Sequence, residues 1–200
     1  MSIDPRRLTR GSGSSWLAEQ LRGTSVIAAV RREADLDTAI SQPGRVVFLL
    51  YGDINTAPGV VERLKERGKA VFLHLDLMGG FGGDRSALRF IARHLAPHGV
   101  LSTRTNLLKH AAEEGLLTIQ RVFLLDSTAL QTAITVARSA SPTAIEAMPG
   151  TLPQWVIRTL REELKIPLIL GGLLTNRTDI ERAIAAGAHA TSVSRPELWG

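Results

Sequence analysis

The chain has 200 residues, 44% of them hydrophobic, which fits one domain with a buried core or one domain with a short tail. It has no cysteine, which excludes disulfides, thiolate catalysis and cysteine metal sites. No apolar run is long enough to cross a bilayer and the start lacks a hydrophobic signal core, so a cytoplasmic protein with no membrane partner is expected. Lys and Arg number 24 against 19 Asp and Glu, a formal charge of +5 that admits a polyanionic partner but equally serves solubility.

Residues 1–14 carry Arg6, Arg7 and Arg10 and run into Gly11-Ser12-Gly13-Ser14-Ser15 without hydrophobic periodicity, the composition of a flexible basic arm. A short helix follows. Ser14 or Ser15 can cap it, Trp16, Leu17 and Leu21 give it an apolar side, and Gly23 ends it. From Ser25 onward one unit recurs: a short apolar strand, a loop, an amphipathic helix, then glycine or proline. Strands are predicted near 26–30, 46–51, 70–75, 99–103, 117–121, 144–147, 168–170 and 190–193. Helices are predicted near 34–41, 59–67, 85–95, 107–114, 127–140, 153–164 and 178–186; the eighth is reduced to Pro196-Glu197-Leu198-Trp199.

Strands alternating with helices through right-handed crossovers give a parallel sheet, and eight units favour closure. The expected fold is therefore α/β, a compact TIM-like (β/α)8 barrel over residues 15–200, with a short N-terminal helix and a reduced final helix. A flavodoxin-like open sheet is the lesser alternative. No glycine-rich dinucleotide fingerprint follows the first strand, which leads into Arg31-Arg32-Glu33.

In such barrels the functional face lies at the carboxyl ends of the strands. Gly171-Gly172 and the run Thr191 to Ser194 end the last two strands, where backbone N–H groups commonly meet a phosphate; a plain tight turn is the competing reading. His74 and Asp76 lie two apart on one face of an extended segment, as an acid/base pair or a structural histidine would. Glu146 stands in an apolar strand and needs either a ligand hydroxyl or an ion pair with Arg104 or Arg121. Those two arginines could also flank an anion. Gly79-Gly80-Phe81-Gly82-Gly83 has the composition of a lid or of an irregular connection.

Taken together, Val26-Ile27-Ala28-Ala29-Val30-Arg31, His74-Leu75-Asp76-Leu77, Ser102-Thr103-Arg104-Thr105-Asn106-Leu107, Thr118-Ile119-Gln120-Arg121 continuing to Ser127, Met148-Pro149-Gly150 and Gly171-Gly172-Leu173 resemble the glycerol uptake operon antiterminator family over about residues 24–199. The resemblance implies a barrel regulator without catalytic residues, cofactor or metal. It would respond to glycerol 3-phosphate and bind leader mRNA to carry transcription past a terminator, as a possible homodimer. It makes His74, Asp76, Arg104, Gln120, Arg121, Glu146, Gly171, Gly172, Ser192 and Ser194 candidates for the ligand pocket. Charge clustering nominates Arg6, Arg7, Arg10, Arg31, Arg32, Arg85, Arg89 and Arg93 for RNA. Three Trp, one Tyr and five Phe offer no evident base-stacking platform. The alternative is a small barrel enzyme on a sugar or polyol phosphate with His74, Asp76 or Glu146 as acid/base groups, although no lysine stands at a strand end for Schiff-base chemistry.

Overall fold

The computed structural model describes residues 10–200. The apolar runs form β1 (Val26–Val30), β2 (Val46–Leu49), β3 (Ala70–His74), β4 (Gly99–Ser102), β5 (Leu117–Phe123), β6 (Ala144–Met148), β7 (Leu168–Gly171) and β8 (Ala190–Val193). Every neighbouring pair is parallel and β8 returns to β1, so the sheet closes in sequence order. The fold is the (β/α)8 barrel expected from the unit count.

Around it lie α2 (Leu36–Ser41), α3 (Ala57–Glu66), α4 (Arg85–Phe90), α5 (Thr105–Glu113), α6 (Ser127–Ala140), α7 (Gln154–Leu164) and α8 (Arg177–Ala185), preceded by α1 (Arg10–Gln20). Asp84, Asp126 and Asn176 start α4, α6 and α8 by accepting an N–H from the first turn, which satisfies a donor the helix leaves open. The helix expected over 85–95 breaks into α4 and a π-helical turn, Ile91–Leu95, that ends on Ala96 at φ 46°.

Side chains alternate across each strand. Ile27, Phe48, Phe72, Leu101, Ile119 and Ile169 point inward and fill the barrel, whereas Ala28, Val47, Val71, Ile145 and Leu170 pack outward under the helices. Among the described residues no α-helix follows β8 to cover its seam with β1. Leu198 and Trp199 pack there against Val26, Ala28 and Ile180, and the Trp199 indole N–H donates to Val193 O at 2.7 Å.

The floor of the barrel corrects one expectation. α1 begins at Arg10, so residues 10–14 are helical rather than part of an arm; residues 1–9 lie outside the described ones. Leu17 and Leu21 close the barrel from below, joining the inward cluster of Ile27, Phe48 and Leu117. Gly13 is what lets the helix approach, since a Cβ there would stand 2.8 Å from Leu117 Cδ2. The Ser14 hydroxyl donates to Thr143 O at 2.7 Å, and Trp16 stacks on His98 with ring centroids 5.4 Å apart. Gly13 and Ser14, whose composition reads as flexibility, serve close contact.

At the same end the strands are tied in pairs. The β3 residue Val71 donates its N–H to His98 Nδ1 (3.1 Å) and accepts the His98 N–H (3.0 Å). Thr118 on β5 does the same with Thr143, and Leu168 on β7 with His189. Each partner immediately precedes the next even-numbered strand.

Candidate functional site

At the upper end of the barrel the inward positions change character. One alternation step beyond Ala29, Phe72, Ile119, Ala144, Ile169 and Ala190 stand Arg31, His74, Arg121, Glu146, Gly171 and Ser192. The residue step that fills the core below therefore delivers polar groups to the mouth.

Glu146 is fully buried. It accepts from Arg121 Nε at 2.6 Å and from the Ser192 hydroxyl at 2.5 Å. The ion pair with Arg121 is thus one of the two roles its sequence position allowed, and register places the two side by side on β5 and β6. Gly171 makes room for it: a Cβ there would overlap the Ser192 hydroxyl and stand 2.9 Å from Glu146 Oε1. Gly171 is required for space. Gly172, at φ 76°, is required for conformation, and Leu173 after it is also left-handed at φ 59°.

Arg121 also reaches His74, its Nη1 lying 2.7 Å from His74 Nε2. A guanidinium can only donate, so Nε2 accepts and the neutral ring carries its proton on Nδ1. That Nδ1 is buried without a hydrogen-bond partner, 3.9 Å from Asp76 Oδ2. Burial, reinforced by the Arg121 charge, pushes the His74 pKa down to about 4, so the ring is neutral at neutral pH. Two of the five Arg121 N–H groups are engaged in this way, and Arg121 is also among the residues that line a cavity in the mouth.

That cavity has a volume of ≈ 330 Å³ and opens on the β7–β8–β1 side of the mouth. Arg31, Arg121, Ser192 and Ser194 line it with Gly172 and Leu173, over an apolar wall that includes Leu50, Leu77 and Met148. Among the described residues Arg31 has no ion-pair partner. Its neighbour Arg32 is held by two bonds of 2.9 Å to Asp35.

Of the ten candidate ligand residues, Arg121, Gly172, Ser192 and Ser194 line the cavity. His74, Glu146 and Gly171 lie behind them and position Arg121 and Ser192. Asp76 and Arg104 are not among the lining residues. They pair with each other at 2.7 Å, and Asp76 accepts further bonds from Ser102 and Thr103. Burial alone pushes the Asp76 pKa up, but the Thr103 N–H, Arg104 and the Ser102 hydroxyl hold it below the usual carboxylate range. Gln120 follows the outward face of β5. Its amide accepts from Thr105 Oγ1 at 3.1 Å and donates to Thr103 O at 3.0 Å, tying β5 to the start of α5 away from the cavity. The glycine-rich loop 79–83 does not line the cavity either. Gly79 exchanges backbone bonds with Gly52 and Ile54, and Gly83 packs on the Arg104 guanidinium.

The described members of the nominated RNA arginines do not gather at one place. Arg6 and Arg7 lie outside the described residues, and Arg10 starts the floor helix at the opposite end from Arg31. Arg85 and Arg89 are ion-paired with Glu113 and Glu114, joining α4 to α5, and Arg93 stands on the π-helical turn. Arg31 is the mouth residue that sequence reasoning assigned elsewhere. The inward alternation of β1, Ile27, Ala29, Arg31, was the signal that could have found it.

Comparison with known proteins is consistent along the barrel. Residues 26–199 match the family model described as glycerol-3-phosphate responsive antiterminator. An Escherichia coli K12 protein named uncharacterized protein YgcP is 34% identical over 183 residues, 92% of this chain and 95% of the relative. The crystal structure of a glycerol uptake operon antiterminator regulatory protein from Listeria monocytogenes superposes with a TM-score of 0.83 at 30% identity, covering 88% of this chain and 95% of that one. A glycerol uptake operon antiterminator-related protein from Thermotoga maritima gives 0.78 at 26% identity, covering 88% and 97%.

Proposed function

The chain belongs to the glycerol-3-phosphate responsive antiterminator family, and from that membership we propose that it is a regulator that senses a small phosphorylated polyol, glycerol 3-phosphate, in the mouth cavity and couples its occupancy to binding of leader mRNA. The observation that carries the ligand part is the unbalanced charge of the cavity. Arg31 lines it without a carboxylate partner among the described residues, and Arg121 retains N–H groups although its formal charge is balanced by Glu146. The Ser194 hydroxyl and the left-handed turn at Gly172-Leu173 complete a surface of donors, which a phosphate dianion complements, while the Ser192 hydroxyl is spent on Glu146. The volume lies at the lower end of ligand cavities, in keeping with a ligand of few heavy atoms.

Sensing accounts for the mouth better than turnover. Both Glu146 oxygens are occupied by Arg121 and Ser192, and His74 sits behind Arg121 with a depressed pKa. Neither is a free acid/base group facing the cavity. Isothermal titration with glycerol 3-phosphate, glycerol and inorganic phosphate tests the reading. Glycerol 3-phosphate is expected to bind with glycerol alone far weaker, and Arg31→Ala to weaken binding at least tenfold. Equal affinity for glycerol and its phosphate would refute the assignment of the donors to phosphate.

A further inference from the structure

The β5–β7 side of the mouth carries an apolar rim whose components the sequence left scattered. Leu125 is 86% exposed, Leu173 72%, Trp155 59% and Phe123 55%. They come from three consecutive units whose loops are bonded to one another above the barrel. Leu124, between Phe123 and Leu125, donates to Met148 O at 2.8 Å, and Gly150 donates to Gly172 O at 2.8 Å beside Leu173. Trp155 opens α7 just after the Met148-Pro149-Gly150 turn. Large exposed apolar side chains on loops that are bonded to one another mark an interaction surface.

Charge identifies the kind of partner. Arg158 lies on α7 three residues after Trp155, hence on the same side of the helix, and Arg177 begins α8. Both are exposed, and among the described residues neither has an ion-pair partner. The carboxylates at the same level are engaged by backbone. Asp126 accepts the Ala129 N–H at 2.7 Å, and Asp179 accepts the Thr175 N–H and hydroxyl and has its pKa lowered by them. Glu162 and Glu181 stand one turn after Arg158 and Arg177 without closing an ion pair to them, so the rim presents apolar side chains beside guanidinium groups that are exposed and not ion-paired among the described residues. Every base offers a π-face to the former and every phosphate an anion to the latter, a combination that fits single-stranded nucleic acid.

We propose that this rim is the RNA-binding platform of the protein: Trp155 and Phe123 stack unpaired bases, and Arg158 and Arg177 hold the backbone between them. The proposal rests on the reading of the chain as an RNA-binding regulator and replaces the arginine set that charge clustering alone nominated. It also supplies a route for coupling. Leu173 both lines the ligand cavity and stands in the rim, in a left-handed conformation that costs an L-residue free energy, so occupancy of the cavity and order of the platform share one residue.

The test uses the full chain with single-stranded RNA of mixed sequence, the same RNA as a duplex, and heparin as a polyanion without bases. Trp155 is the most exposed of the three tryptophans, Trp16 being half-buried and Trp199 buried, so its fluorescence reports on the rim. Single-stranded RNA is expected to quench it and heparin is not. Trp155→Ala and Phe123→Ala should each weaken single-strand affinity roughly 5- to 100-fold, and Arg158→Ala should flatten its salt dependence. Glycerol 3-phosphate titration of the same variants should match the parent chain. Unchanged RNA affinity in Trp155→Ala/Phe123→Ala overturns the proposal. So does a parent dimer, seen by sedimentation, that becomes monomeric in that variant with RNA binding intact, which would make the rim a contact between two copies. Failure of the parent chain to bind RNA would overturn the platform together with the RNA half of the proposed function. Loss of platform binding in a chain that ignores glycerol 3-phosphate would leave the platform standing and refute the ligand half alone.

Discussion

Replacing Glu146 by Gln removes a charge and little volume from the centre of the mouth, which makes it the sharpest probe of how the site is held. Glu146 has no solvent exposure and sits 2.6 Å from Arg121 Nε, whose own side chain is 9% exposed. Two unit charges 4 Å apart attract by about 4 kcal/mol at an effective dielectric of 20, and experiments that remove one member of a buried pair cost about 3–5 kcal/mol. A Gln at this position still accepts from Ser192 or Arg121 through its amide oxygen, so the expected loss is about 2–4 kcal/mol. Urea denaturation at pH 7, followed by far-UV circular dichroism, measures it as a fall in midpoint without a change in slope. The companion Arg121→Met/Glu146→Leu removes both charges, and leaves His74 Nε2 without its donor and the Ser192 hydroxyl without its acceptor. It should recover part of the loss, to within about 2 kcal/mol of the parent, because a buried pair replaced by apolar groups of similar size is close to neutral while the freed imidazole nitrogen and hydroxyl cost about 1 kcal/mol each. The same double variant should fold and lose glycerol 3-phosphate, since Arg121 lines the cavity. A cost below about 1 kcal/mol for Glu146→Gln, or a double variant no more stable than the single one, would refute a tightly coupled pair at the mouth.

Acid should destabilise the protein earlier than its carboxylates alone predict. Burial, with the Arg121 charge for His74 and the Lys65 charge for His98, depresses both rings to about 4, so between pH 6.5 and 4 the unfolded chain binds more protons than the folded one. Stability is then full above pH 6.5 and falls as pH drops through that window, by about 2 kcal/mol per histidine between pH 7 and 5. Urea titrations at the two pH values check this, and His98→Gln should remove part of the slope; an unchanged slope would refute it. Leu17→Ala empties part of the barrel floor and should cost about 2–5 kcal/mol by the same denaturation assay. Gly172→Ala forces an L-residue to φ 76° against the Met148 methyl and should cost about 1–2 kcal/mol, with calorimetry showing weaker phosphate binding.

The unit count was legible because each apolar run is short, is followed by a helical period and is bounded by glycine or proline. The mouth was legible as a set of strand ends, for the same reason. Which way each end faces was harder to read. Gln120 and Arg121 are adjacent and both polar, yet β5 alternation turns one toward α5 and the other into the barrel, and a flat sequence marks them alike. The engagement of polar groups by one another was hidden too. Arg121, Glu146, His74 and Ser192 come from β5, β6, β3 and β8, so the partner of each lies far away in sequence. Residues 10–14 were misread because composition reports what a segment tolerates and is silent about what stands opposite. The space above Gly13 is filled by Leu117, more than one hundred positions later.

The reciprocal bonds of His98, Thr143 and His189 recur at every second unit, so that β3 is locked to β4, β5 to β6 and β7 to β8. A cylinder tied in this manner is modular in steps of two. Residues inserted at Glu114-Gly115-Leu116 or at Lys165-Ile166-Pro167, which join one locked pair to the next, leave the locks intact. An insertion at Ala96-Pro97, inside a pair, carries His98 away from Val71 and opens one. Circular permutants and split versions of the chain are accordingly expected to tolerate a joint between β4 and β5 or between β6 and β7 better than one inside a locked pair.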